Sequence, residues 1–261
     1  MAGFRKAFSW SPNFAVLVMV AEFVVSAQAA SFVLKWSPQA HTDGLQAFEG
    51  IQDDRQQSDP GVKHIYVQGN SYRFDMPLKQ RELGKAESER QRNEVYGMVA
   101  NQTGKGISIL KGESWRIQHK IFIPKSLKAT TSFTHIMQLL STLPTLTLSL
   151  RHTNNIPAIE LHLYNRTAGG SKIIASTPLS PLQEKWIESQ ITFTAVADGA
   201  IQWLLRDAAT NAVIVQADGS GELIQMDRVR PKWGIYRSVS DTPHLQNCFM
   251  LIKDLQAWRQ E

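Results

Sequence analysis

From Ser114 to Ile123 the chain alternates without a break. Trp115, Ile117, His119, Ile121 and Ile123 fall on one side; Arg116, Gln118, Lys120 and Phe122 fall on the other. A period of two is what a strand with one buried face requires, and a helix cannot seat it. Pro124 ends the run. Similar stretches, at 64–67, 71–76, 94–99, 132–140, 146–151, 156–163, 172–176, 186–195, 200–206, 212–216, 230–238 and 248–258, are bounded by Gly, Pro, Asn and Asp. Residues 31–61 and 78–91 read as polar segments without regular structure, and Asp218-Gly219-Ser220-Gly221 reads as a turn. Strands at roughly 8–15-residue spacing, with hardly any helical signal, predict an all-β chain folded as an antiparallel two-sheet sandwich or jelly roll.

The first 30 residues read differently. Arg5 and Lys6 precede an apolar run, Phe14 to Val25, and Ser26-Ala27-Gln28-Ala29-Ala30 then offers an Ala-x-Ala pattern. This predicts a secretory signal peptide over 1–30, cut after Ala29 or Ala30, although Glu22 interrupts its apolar core. The run is short for a membrane span, and no other stretch of about 18 apolar residues follows. The mature chain, 31–261, is expected to be secreted, soluble and free of the membrane. It has no Pro/Gly/Ser linker and is long enough for one large domain; we expect a monomer. Cys248 is the single cysteine, so no internal disulfide forms, and beside Phe249, Met250 and Leu251 it reads as a buried small hydrophobe. Sequons at Asn101 and Asn165 suit surface loops of a secreted glycoprotein. Without Arg5, Lys6 and Glu22 the chain carries 26 basic against 22 acidic residues, a net +4. That balance is compatible with an anionic partner outside the cell. No Lys/Arg block or nucleic-acid motif occurs, so nucleic acid is not an expected partner.

Three stretches carry chemistry. Along Arg230 to Ser238, period two puts Lys232, Gly234, Tyr236 and Ser238 on one face and Trp233, Ile235 and Arg237 on the other. The first face is a notch with polar walls. Along Arg90-Gln91-Arg92-Asn93-Glu94, the side chains Arg90, Arg92 and Glu94 share a face. A guanidinium held by a carboxylate there can bind a substrate carboxylate. Along Ser132 to Leu139, His135 and Gln138 interrupt an apolar strand, and buried polar groups need partners. They are three apart, so a regular strand sends them to opposite faces; a bulge would bring them together. Each stretch also has a structural reading: a solvated charge ladder, a hydrogen-bonded core histidine, a polar strand face.

The set lacks the paired carboxylates of glycoside hydrolysis, a Gly-x-Ser-x-Gly elbow and a His or Cys cluster for a transition metal. It suits β-elimination in a uronic-acid polymer. That reaction needs a neutralised C5 carboxylate, a base for the C5 proton and an acid for the leaving O4. A tyrosine can serve if nearby cations lower its pKa from about 10; Lys232, on the same face as Tyr236, is such a cation.

These residues resemble the secreted jelly-roll polysaccharide lyases of concanavalin A-like fold, which include alginate lyases, glucuronan lyases and heparin lyase I. The family's Lys-x-Gly-x-Tyr strand stands here as Lys232-Trp233-Gly234-Ile235-Tyr236, and its Arg-x-Glu as Arg92-Asn93-Glu94. Its Gln-Ile-His strand is matched by His135, Ile136 and Gln138 in a different order. Trp186 to Gln216 and the closing Leu251 to Trp258 also look like this group, and Trp233 to Arg237 is most like fungal members, glucuronan lyases among them. The likeness spans roughly residues 60–258. It implies a concave groove for an anionic polysaccharide and β-elimination with Tyr236 as acid, and as base too where His135 is not. Gln138 and Arg92 would neutralise the carboxylate, and His135 would be the base or its support. Lys232, Glu94, Arg90 and Ser238 would bind substrate. No cofactor is required for the reaction. Some relatives carry a structural calcium ion, for which no ligands can be assigned here. The other reading is a non-catalytic, lectin-like carbohydrate-binding protein of the same fold. The two differ in whether Arg92, Gln138, His135 and Tyr236 converge.

Overall fold

A computed structural model describes residues 31–84, 89–100 and 104–261. The signal-peptide reading of 1–30 and the sequon at Asn101 lie outside the described residues, whereas Asn165 is exposed just after a strand. In chain order the strands are β1 Phe32–Trp36, β2 Gly50–Asp53, β3 Ile65–Gln68, β4 Ser71–Met76, β5 Arg90–Tyr96 and β6 Met98–Val99. Then come β7 Gly106–Ile107, β8 Ile109–Leu110, β9 Ser114–Phe122, β10 Thr134–Leu140, β11 Pro144–Thr153 and β12 Ile156–Tyr164. The last six are β13 Ser171–Pro178, β14 Trp186–Thr194, β15 Gly199–Asp207, β16 Val213–Gly221, β17 Arg228–Ser238 and β18 Cys248–Gln260. Sixteen of them form two large antiparallel sheets, as the alternation predicts, and β6 and β7 pair with each other. One runs β16-β15-β14-β9-β18-β4-β3 with β1 added to β18; the other runs β13-β12-β11-β10-β17-β5-β2 with β8 added to β17.

The late strands do the joining. β17 inserts between β10 and β5, and β18 between β9 and β4. Side chains far apart in sequence therefore become lateral neighbours. Trp233 fixes the inner side of β17. It is fully buried, stacks on Trp36 with ring centroids 5.5 Å apart, and meets Phe48 at 6.0 Å and His119 at 6.3 Å. Arg237 also points inward. Its guanidinium donates to Gln91 Oε1 at 2.6 Å, the Gln246 carbonyl at 3.0 Å and Cys248 Sγ at 3.2 Å. The inner side of β17 is thus committed to the core, which leaves the opposite side for chemistry.

Two expectations are corrected. Residues 31–61 contain β1 and β2, which the polar composition hides. Asp218 to Gly221 is the end of β16, not a turn: the backbone pairs with β15, Asp218 Oδ1 accepts from Gln202 Nε2 at 3.1 Å, and Gly219 has no side chain to collide with Ile174.

His119 and His135 carry a pH prediction. Both are buried, and burial pushes each imidazole down to about 3; nearby positive charges add to the shift at His135. Among the described residues neither ring nitrogen of His119 has a partner. In the unfolded chain each takes a proton near pH 6.5. Between that value and about 3 the unfolded state binds more protons, so stability falls as the pH drops, by up to about 1.4 kcal/mol per pH unit per group. His119→Leu should therefore lose markedly less stability than the parent between pH 7 and pH 4 in urea unfolding. Equal losses would contradict this account.

Candidate active site

The pairing of β5 with β17 is regular and sets the first four side chains. Tyr236 lies opposite Arg92, Gly234 opposite Glu94 and Lys232 opposite Tyr96. Arg92, Glu94, Lys232 and Tyr236 therefore share the face turned away from the core, as period two requires. Gly234 is demanded by the backbone. Its φ is +136°, and a Cβ there would overlap the Asn93 carbonyl oxygen and lie 2.7 Å from Glu94 Cα. The glycine lets β5 approach closely, which places Glu94 between its partners.

The parity conflict between His135 and Gln138 is resolved by a register shift. His135 pairs with Tyr236 on β17 and Ser149 on β11; Gln138 pairs with Lys232 and Thr147. Three steps along β10 are thus matched by four along β17 and by two along β11. Both neighbours take even steps, so both keep one face, and β10 absorbs the odd residue as a bulge at Ile136. Ile136 and Met137 both enter the core. His135 and Gln138 both reach the face that carries Tyr236 and Lys232.

Glu94 organises this face. It is 1% exposed. Its Oε1 accepts from Gln138 Nε2 at 2.5 Å, and its Oε2 accepts from Arg92 Nη1 at 3.0 Å and Lys232 Nζ at 2.7 Å. Gln52 of β2 closes the ring, with Oε1 accepting from Lys232 Nζ at 2.7 Å and Arg92 Nη1 at 3.3 Å. Behind Arg92, Glu82 Oε1 lies 3.0 Å from Arg92 Nε and also takes Arg55. Burial pushes the Lys232 ammonium below its usual range, against the opposing pull of Glu94. Two carboxylates, Glu94 and Glu82, thus hold three cations, Lys232, Arg92 and Arg55, in fixed positions.

Tyr236 and His135 lie beside this network. The Arg92 guanidinium sits 3.9 Å above the Tyr236 ring and that of Arg90 at 6.0 Å. These guanidiniums, together with that of Arg55, are the cations acting on the tyrosine; Lys232 is bonded to Glu94 and Gln52. No described residue hydrogen-bonds the Tyr236 hydroxyl. His135 stacks on Phe133 at 4.8 Å, and its centroid is 5.9 Å from that of Tyr236. It is held neutral by burial and by the positive charge of Arg151, Arg92 and Lys232.

The structure thus brings Arg92, Gln138, His135, Tyr236, Lys232 and Glu94 together, with Arg90 at the margin. Ser238 lies opposite Arg90, but it is buried and bonded to Ser240 at 2.8 Å, so it is committed to its own turn. Glu94 has its oxygens occupied and acts on its neighbours. The sequence reading missed Gln52, Glu82 and Ser149. A pocket of about 180 Å³ lined by Gln52, Tyr96, Leu140, Arg230 and Lys232 opens beside the network. Among the described residues no three His, Cys, Asp or Glu side chains are grouped to hold a metal ion.

No family model and no curated protein matches the sequence. Solved structures do match. The endo-β-1,4-glucuronan lyase of the fungus Trichoderma reesei superposes with a TM-score of 0.57 at 13% identity, covering 86% of this chain and 95% of that one. The family 7 alginate lyase A1-II′ with bound product gives 0.53 at 10% identity, covering 86% and 96%. An alginate lyase from Pseudomonas aeruginosa gives 0.50 at 11%, covering 82% and 98%. At these identities the likeness establishes architecture, and over nearly its whole described length the chain has the β-sandwich fold of the glucuronan and alginate lyases.

Proposed function

We propose that the protein is a secreted polysaccharide lyase that cleaves a uronic-acid polymer, glucuronan-like or alginate-like, by β-elimination. The observation that carries this reading is the convergence of Arg92, Gln138, His135 and Tyr236 on one sheet face, around a carboxylate that fixes the first two. Arg92 and the second N–H of Gln138 hydrogen-bond the substrate carboxylate. This disperses the charge that builds on it as the C5 proton leaves. Lys232 adds positive potential beside the pocket. Tyr236 and His135, paired across β17 and β10, handle the two protons: one leaves C5, the other reaches O4. No step calls for a group beyond these side chains. The resemblance to lyases named for glucuronan and alginate supports the choice of polymer.

Incubation with a panel of polyuronates should raise ultraviolet absorbance from unsaturated uronides with glucuronan or alginate. Binding without any rise would favour the lectin-like alternative.

A further inference from the structure

Ser149 stands one strand beyond the residues just described. On β11 it pairs with His135, and both are buried. Ser149 Oγ lies 2.7 Å from His135 Nδ1 and donates to Thr147 Oγ1 at 3.1 Å. Thr147 Oγ1 is in turn 3.3 Å from the Tyr164 hydroxyl. A hydroxyl has one proton to give. That of Ser149 goes to Thr147, so towards His135 it can only accept. Nδ1 must then carry the proton of the neutral ring, and Nε2 keeps its lone pair. Among the described residues Nε2 has no partner.

We infer that Ser149 is a positioning residue that holds His135 as the Nδ1–H tautomer, which makes Nε2 the base for the C5 proton. The catalytic half of this inference rests on the lyase reading above; the tautomer does not. The C5–H bond breaks and its proton passes to Nε2. Its electron pair forms the C4–C5 double bond, and the C4–O4 bond breaks with its pair on O4. The Tyr236 hydroxyl protonates O4. The phenolate then recovers its proton from the imidazolium through one water, across the 5.9 Å between ring centroids. Ser149 accepts from Nδ1–H in both the neutral and the cationic ring, so nothing in the support has to rearrange during the step.

The test is long-range proton–nitrogen NMR of the full chain labelled with ¹⁵N-histidine at neutral pH, with His135 assigned through His135→Gln. We expect His135 Nδ1 to show a protonated-nitrogen shift and Nε2 an unprotonated one. Ser149→Ala should move the population towards Nε2–H, and Ser149→Thr should retain the parent form. Thr147→Val frees the Ser149 proton and should also admit Nε2–H; it carries the test if Ser149→Ala does not fold. Nε2 protonated in the parent, or an unchanged tautomer in both Ser149→Ala and Thr147→Val, overturns the inference. In the polyuronate assay kcat of Ser149→Ala should fall on the order of 10–100-fold with KM little changed, the range for residues that orient an imidazole through its other nitrogen. A rise in KM with kcat intact overturns the positioning role. Absence of product from every polyuronate, with Nδ1–H observed, overturns the base assignment together with the lyase reading and leaves the tautomer standing.

Discussion

Tyr236→Phe should reduce kcat for polyuronate cleavage by on the order of 10²–10⁴-fold, the usual contribution of a placed proton donor, while leaving the folded state intact. The second half of that expectation makes the first informative. The hydroxyl bonds no described residue, so its removal leaves no described group unsatisfied. The ring contacts survive in phenylalanine: Arg92 at 3.9 Å above the ring, Phe133 at 5.1 Å and His135 at 5.9 Å. Cation–π attraction needs the ring face and not the phenol. The melting temperature and the affinity for an uncleaved polymer should therefore stay close to the parent values. Unsaturated product should disappear. A variant that keeps a tenth or more of the parent kcat would remove Tyr236 from proton transfer and leave His135 to act with some other acid.

The residues behind that prediction were unequally legible. Lys232, Tyr236, Arg92 and Glu94 could be placed on one face because β17 and β5 keep a strict period of two and pair without a slip. His135 and Gln138 could be named, since polar residues in an apolar strand stand out, but not placed. Their common face depends on a bulge set by two neighbouring strands, 4–14 residues and about 100 residues away along the chain. Gln52 and Glu82 come from segments whose composition reads as loop, so nothing in the local pattern marks them. Ser149 did leave a signal: Thr145, Thr147, Ser149 and Arg151 alternate with Leu146, Leu148 and Leu150, and the polar side of that strand lies next to His135. Gly234 was legible as special, but the close approach of β5 that demands a glycine cannot be seen from β17 alone.

Glu94→Leu should be the most damaging single change to stability among the site residues, at about 3–5 kcal/mol, the range for removing one member of a buried ion pair. The carboxylate is shared by three donors on three strands, Arg92 of β5, Gln138 of β10 and Lys232 of β17. Losing it does not affect them equally. Arg92 keeps Glu82 and is partly open to water. Gln138 loses one neutral donor contact. Lys232 is 4% exposed and, among the described residues, keeps only the neutral oxygen of Gln52, so an ammonium is left in a low-dielectric site without a described counter-charge. The cost should therefore follow Lys232 and be largely recovered in Glu94→Leu/Lys232→Met, because a buried pair replaced by apolar groups of similar size is often neutral or better. Catalysis should not return with stability. Without the carboxylate, Arg92 and Gln138 are no longer held where a substrate carboxylate meets them, and misplacement by about 1 Å can cost 10²-fold. Urea unfolding and the polyuronate assay on the single and double variants separate the two quantities. Recovery of both in the double variant would show that Glu94 only neutralises Lys232; recovery of stability alone would show that it also sets the geometry of the site.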